Sequence, residues 1–176
     1  PAAGVKGWKN PENAVAFEVT DALFDAEYEH ADRILRDCMD IASATGMRLT
    51  DSRTVRLPVD GQLRFKANKT GKWAYFEVAQ SPVLSARLER RNAMRAHCVM
   101  LLASDTGRQV SDKMLADRWA DARRLAMNAH PELADQIRAM QLRYMRKRAS
   151  DLASDVQAAS KLLQHSSVKL TQDHYR

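Results

Sequence analysis

Apolar positions recur with different periods along the chain, and the period predicts the elements. From the cap residue Thr20 onward, Phe24, Tyr28, Ala31, Leu35, Cys38 and Ala42 follow at steps of three and four, which predicts one amphipathic helix ending at Thr45-Gly46. Between Val55 and Ala79 the period drops to two. Leu63, Phe65 and Ala67 alternate with polar residues, as do Ala74, Phe76 and Val78, so Asn68-Lys69-Thr70-Gly71 reads as the turn of a β-hairpin. Pro82 to Arg95 predicts a helix, His97 to Ala103 a short strand or buried stretch, and Asp105-Thr106-Gly107 a turn. Ser111 can cap a further helix carrying Met114, Leu115, Trp119, Ala122 and Leu125. After His130-Pro131 the chain reads as helical to its end, most clearly over Gln141 to Ala153 and Val156 to Gln164. The expected fold class is α+β, mainly helical with a small antiparallel β-sheet.

Pro1 to Glu18, rich in Gly, Pro, Lys and Asn and without periodicity, reads as a linker ahead of one domain over residues 19–176. A chain of 176 residues with 45% apolar content is long enough for a core of its own. No apolar run approaches the roughly 20 residues of a membrane helix, and Pro1 to Lys9 has no charged start followed by an apolar stretch. A location inside the cell is therefore expected. Cys38 and Cys98 stand apart, without Cys-x-x-Cys spacing or clustered histidines, which argues for reduced packing residues and against a disulfide framework or a zinc site. His30, His97 and His130 likewise have no partner at useful spacing, and Trp8, Trp73 and Trp119 are expected to pack.

Charge points to a partner. The 28 Lys+Arg against 22 Asp+Glu leave a net charge of +6, and from Gln136 onward eight basic residues face three acidic ones, so five of the six net charges lie there. A phosphate backbone would bind this end best, with a solvated basic face as the alternative. No nucleophile elbow, glycine-rich phosphate loop or metal-ligand cluster is present in the sequence. What remains is a set of cations and one tyrosine: Arg48 just after Gly46, Lys69 in the hairpin turn, Arg143 and Arg146 one helical turn apart, His165, and Tyr175 ten residues beyond it. Paired guanidinium groups can grip the non-bridging oxygens of one phosphate, lysine or histidine can move protons, and a tyrosine hydroxyl can attack phosphorus.

These residues resemble, in order and spacing, the catalytic domain of the tyrosine recombinases, the phage integrase type. Ala44-Thr45-Gly46-Met47-Arg48-Leu49-Thr50-Asp51 is similar to the first box, Thr-Gly-x-Arg-x-x-Glu/Asp. Asn68-Lys69-Thr70-Gly71 is similar to the hairpin turn bearing the family's lysine, and Arg143-Tyr144-Met145-Arg146 to the His/Arg-x-x-Arg box. Ala159 to His165 resembles the Leu-Leu-Gly-His box, with Gln164 in place of glycine, and Thr171 to Tyr175 the segment of the nucleophile. The resemblance implies that Arg48, Arg146 and Arg143 bind the scissile phosphate, that Asp51 supports the site, that Lys69 protonates the leaving 5′ oxygen, that His165 assists, and that Tyr175 attacks. Arg143 is the alternative second arginine, 22 residues before His165 where Arg146 lies 19 before it. The interval from His165 to Tyr175 is ten where nine is commoner, which keeps His174 as a rival.

Lys147, Arg148, Lys161 and Lys169 are expected to contact DNA phosphates, with a solvated face the equal alternative for Lys147 and Arg148. The resemblance further implies double-stranded DNA at an attachment site as substrate, no cofactor and no metal, and a homotetramer on DNA for the full-length protein, with a monomer open for this chain. It also implies a preceding core-binding domain and a phage- or prophage-encoded protein of the bacterial cytoplasm. Other readings are a catalytically inactive DNA-binding protein of the same fold and a type IB topoisomerase-like relaxing enzyme.

Overall fold

A computed structural model describes residues 17–152. Helix α1 (Asp21–His30) begins where Thr20 Oγ1 accepts the Leu23 amide at 3.3 Å. The expected single helix is two. Ala31 and Asp32 are extended, and α2 (Arg33–Thr45) starts afresh with Asp32 Oδ1 accepting the Leu35 amide at 2.9 Å. A carboxylate that can satisfy the amides of a new helix N-terminus competes with continuation of the old one. A short α3 (Leu49–Thr54) follows, then β1 (Gln62–Lys66) and β2 (Trp73–Glu77) pair antiparallel, with Leu63 opposite Phe76 and Phe65 opposite Ala74.

Ser81 caps α4 (Pro82–Ala93), which stops two residues before the expected Arg95 because Met94 is already extended. The 97–103 stretch forms no strand. It is held by isolated bridges, Arg56 with Met100 and Ala103 with Gln109, while Leu101, Leu102 and Ala103 are buried. Ser111 caps α5 (Asp112–Ala129) as expected. Past Pro131 the expected unbroken helix is instead α6 (Ala134–Ala139) and α7 (Met145–Asp151), parted by extended backbone at Met140 and Gln141. The Val156 to Gln164 helix lies outside the described residues. Among the described residues, no helix is long and apolar enough to cross a membrane.

Helix α2 is the centre of the packing. It touches α1, α3, α4, α5 and α7, and its Ile34, Leu35, Met39 and Ile41 are almost wholly buried. Cys38 is buried among them, and desolvation pushes its thiol up to about 12, so it stays a thiol and behaves as a small apolar residue. The polar side of α2 is braced to α4 by ion pairs. Asp37 meets Arg33, Arg87 and Arg90, and Asp40 meets Arg87 and the Tyr28 hydroxyl, which donates at 2.9 Å. Burial raises both carboxyls even though the arginines pull them down.

One buried acid has no such support. Glu27 on α1 is fully buried, and neither of its carboxylate oxygens has a hydrogen-bond partner among the described residues. Desolvation raises its pKa from 4.5 to about 8, with Arg123 drawing it partly back. The folded protein thus holds a proton that the unfolded chain releases near its ordinary value. Stability from this group is complete below pH ~4.5, declines as pH rises toward 8, and changes no further above that. Urea denaturation is expected to show Glu27→Gln more stable than the parent at pH 8.5 and the two nearly equal at pH 5, a difference of roughly a few kcal/mol at the alkaline end. Parallel curves across that range would show that Glu27 is charged and solvated.

Candidate active site

The first box is shaped by the end of α2. Gly46 closes the helix in the left-handed region, φ 69°, donating its amide to Ala42 O at 2.9 Å, and a β-carbon there would be strained. Thr45 Oγ1 donates to Ile41 O at 2.6 Å and accepts the Met47 amide at 3.2 Å, so the turn is tied at both ends. With Met47 buried, Arg48 emerges extended, ψ 155°, as the cap residue of α3. The residue is half-buried, and its guanidinium makes no hydrogen bond or ion pair among the described residues. The neighbouring Arg53, by contrast, is engaged with Asp112 at 3.0 Å and Val110 O at 3.2 Å.

Asp51 joins this turn to the hairpin. Its side chain is buried, and Oδ1 accepts both the Asn68 amide at 3.1 Å and Asn68 Nδ2 at 2.8 Å. Lys69 is the next residue, exposed in a turn closed by Gly71 at φ 66°. One carboxylate therefore fixes the loop of Lys69 to the helix that Arg48 begins. Asp51→Ala leaves those donors without their acceptor. A loss of about 1–3 kcal/mol in urea denaturation is expected, with faster exchange of the Asn68 amide; an unchanged exchange rate would mean that other bonds hold the turn.

Helix α7 packs along α2 and carries Arg146, which is half-buried and engaged within the fold. Arg143 stands just before it, exposed, with its guanidinium 5.5 Å from the Tyr144 ring centre. Lys147 and Arg148 are not free on a solvated face. Their side chains are 12% and 13% exposed; Lys147 pairs with Asp151 at 2.9 Å, and Arg148 pairs with Asp21 at 2.6 Å. Arg148 also donates to Val19 O at 3.2 Å and lies 4.4 Å from the Phe24 ring centre. His165, Tyr175, His174, Lys161 and Lys169 fall outside the described residues.

A recess of about 210 Å³ opens between α3 and the hairpin, lined by Asp51, Thr54, Arg56, Arg64, Lys66 and Trp73. The outer face of the sheet presents two cross-strand pairs, Arg64 opposite Tyr75 and Lys66 opposite Trp73. Trp73 was expected to pack, yet it and Tyr75 are each 61% exposed. The signal lay in the alternation itself, since inward Ala74 and Phe76 leave positions 73 and 75 outward. Trp119 does pack, at 7% exposure. The histidines also differ from expectation, because His30 and His130 meet with ring centres 6.3 Å apart.

No protein-family model matches the sequence, and no curated protein matches it. Solved structures do. The lambda integrase catalytic core matches with a TM-score of 0.66 at 18% identity, over 86% of this chain and 96% of that one. A lambda integrase dimer bound to a COC′ core site matches at 0.67 and 18% identity, over 90% of this chain and 58% of that one. XerA recombinase gives 0.64 and 16% identity, over 96% and 62%. The chain thus spans less than two thirds of the latter two.

Proposed function

On the fold of the tyrosine recombinase catalytic domain, we propose that this chain cleaves and rejoins DNA strands through a 3′-phosphotyrosyl intermediate. The observation that carries this reading is the Asp51–Asn68 pair of hydrogen bonds, which holds the Arg48 turn and the Lys69 turn together with neither cation neutralised by a described carboxylate. The packing of the Arg146 helix on α2 supports it further. So do the matching structures, described as lambda integrase bound to a core site and as a lambda integrase tetramer on a Holliday junction.

Arg48, Arg146 and Arg143 clamp the non-bridging oxygens of the scissile phosphate, and their fixed charges stabilise the pentavalent transition state. The Tyr175 oxygen forms the bond to phosphorus as the bond to the 5′ oxygen breaks. Lys69 delivers a proton to that leaving oxygen, and His165 assists proton transfer at the phosphate. The reverse attack by a 5′ hydroxyl releases the tyrosine and reseals a strand, with the bond energy kept in the phosphodiester throughout. Arg64, Lys66, Trp73 and Tyr75 on the hairpin extend the cationic surface from the recess, where backbone phosphates would pass. Substrate is double-stranded DNA at an attachment site, the working assembly is a homotetramer on DNA, and the setting is the bacterial cytoplasm of a phage or prophage host, with a core-binding domain preceding residues 19–176.

The test is a nicked duplex carrying a candidate site, from which a cleaved fragment diffuses away. A denaturation-resistant protein–DNA adduct, mapped by mass spectrometry to Tyr175, is the expected result. Intact duplex binding with no adduct on any residue, in this chain and in a longer one alike, favours the second reading, an inactive DNA-binding protein. Gln164 and the ten-residue interval from His165 to Tyr175 are the features that favour it.

A further inference from the structure

The C-terminal ends of α1 and α5 meet outside the phosphate-binding set and bring together Glu29, His30 and His130. One ligand atom from each lies within 4.8 Å of the others. We propose that these three side chains form a divalent transition-metal site, with Zn²⁺ as the ion their chemistry suits best. Two imidazoles and one carboxylate are a set that zinc accepts at three positions, leaving a fourth for water, and Glu29 is exposed enough to admit one.

The details of the cluster favour a cation at its centre. His30 Nε2 is buried without a hydrogen-bond partner among the described residues, so a ring nitrogen that water does not reach is left unused. His130 turns Nδ1 toward Glu132 Oε1 at 3.5 Å and Nε2 toward Glu29 Oε2 at 3.8 Å. Glu132 thus stands on the side of the ring from which an outer carboxylate can orient a histidine whose other nitrogen meets a metal. The two rings are inclined by 66° and do not stack, so their nitrogens can share one ion.

The backbone adds to this. Glu29 and His30 are the last two residues of α1, and His130 is the cap residue that ends the 18-residue α5, so the negative ends of two helix dipoles face the same place. A nearby cation, Arg36, is spent on the backbone oxygens of Tyr28 and Glu29 and leaves the Glu29 carboxylate open. His30 and His130 stand one hundred residues apart, so an ion here would clip the first helix to the end of α5. The recombination chemistry needs no part of this site; its role is to fix α1 against α5.

The chain, stripped with chelator, is titrated with Zn²⁺ by calorimetry, and Co²⁺ serves as an absorbing probe. Expected are one equivalent bound, a rise in Tm, and Co²⁺ d–d bands of four-coordinate intensity. His130→Ala is expected to weaken Zn²⁺ binding at least tenfold, and Glu132→Gln about tenfold through the lost orientation. His165 and His174 remain in both variants. Zn²⁺ binding that survives His130→Ala unchanged, or Co²⁺ spectra of six-coordinate intensity in the parent, would overturn the site. So would a parent chain that takes up no Zn²⁺. Since none of these readouts involves DNA cleavage, the proposal and the recombinase reading fail separately.

Discussion

Replacing Tyr175 by phenylalanine is expected to abolish covalent capture of DNA while leaving duplex affinity within about twofold of the parent. The substitution removes one oxygen and keeps the ring, so only the attacking atom is lost. A free serine or lysine substitutes poorly for a positioned tyrosine hydroxyl, since positioning accounts for much of the rate of such a step. His174 is the exception to examine, because the ten-residue interval after His165 would let a one-residue slip bring it forward. His174→Ala is therefore the companion variant and is expected to keep adduct formation. An adduct that persists in Tyr175→Phe and disappears in His174→Ala would transfer the nucleophile to the histidine.

The second large effect is expected at Arg48. Arg48→Ala should slow cleavage of the nicked duplex by ~10²–10³-fold, the usual cost of losing one preorganised charge or donor from a transition state. Burial supports a figure toward the upper part of that range. Arg48 leaves a buried turn, is half-shielded from solvent, and has no carboxylate to soften its charge among the described residues. Its interaction with a developing phosphorane charge is therefore weakly screened. Lysine at this position restores the charge but not the two-pronged geometry and is expected to recover a minor part of the rate. A near-normal rate for Arg48→Ala would remove the residue from the phosphate clamp. The Arg48 side chain makes no hydrogen bond or ion pair with another described residue, so a circular-dichroism melt close to the parent's is expected to accompany the lost rate.

Much of the architecture was legible because it rests on local rules. Thr20 and Ser111 each cap a helix through the side-chain oxygen, and the period-two run over residues 63–78 is the hairpin, with its inner and outer faces as the alternation implies. The failures have a common cause. The stripe Tyr28, Ala31, Leu35 keeps helical spacing across the break at Asp32, so periodicity alone cannot see a cap that restarts the helix on the same face. The helical pattern after Pro131 hides the extended Met140 and Gln141 for the same reason.

The candidate site divides along similar lines. The boxes set Arg48, Asp51 and Lys69 on two separate turns in the sequence, and the Asp51–Asn68 bonds join those turns. The Lys147–Asp151 pair could be read from i,i+4 spacing, whereas the Arg148–Asp21 pair spans 127 residues and could not. His30 and His130 escaped notice because only the approach of α1 to α5 makes them neighbours.

The grip of α7 on the first described residues has a consequence for how this part of the molecule comes apart. Phe17 stacks on Tyr144 at 5.2 Å, and Arg148 holds Val19, Asp21 and Phe24 at once. The entropic cost of bringing such distant stretches together is met largely by the first contact, and each later one forms between groups already near. These contacts are therefore lost together or not at all. Fraying of residues 17–24 and fraying of 144–148 are one cooperative event, so the segment that bears Arg146 keeps its place for as long as the opening residues of the domain keep theirs.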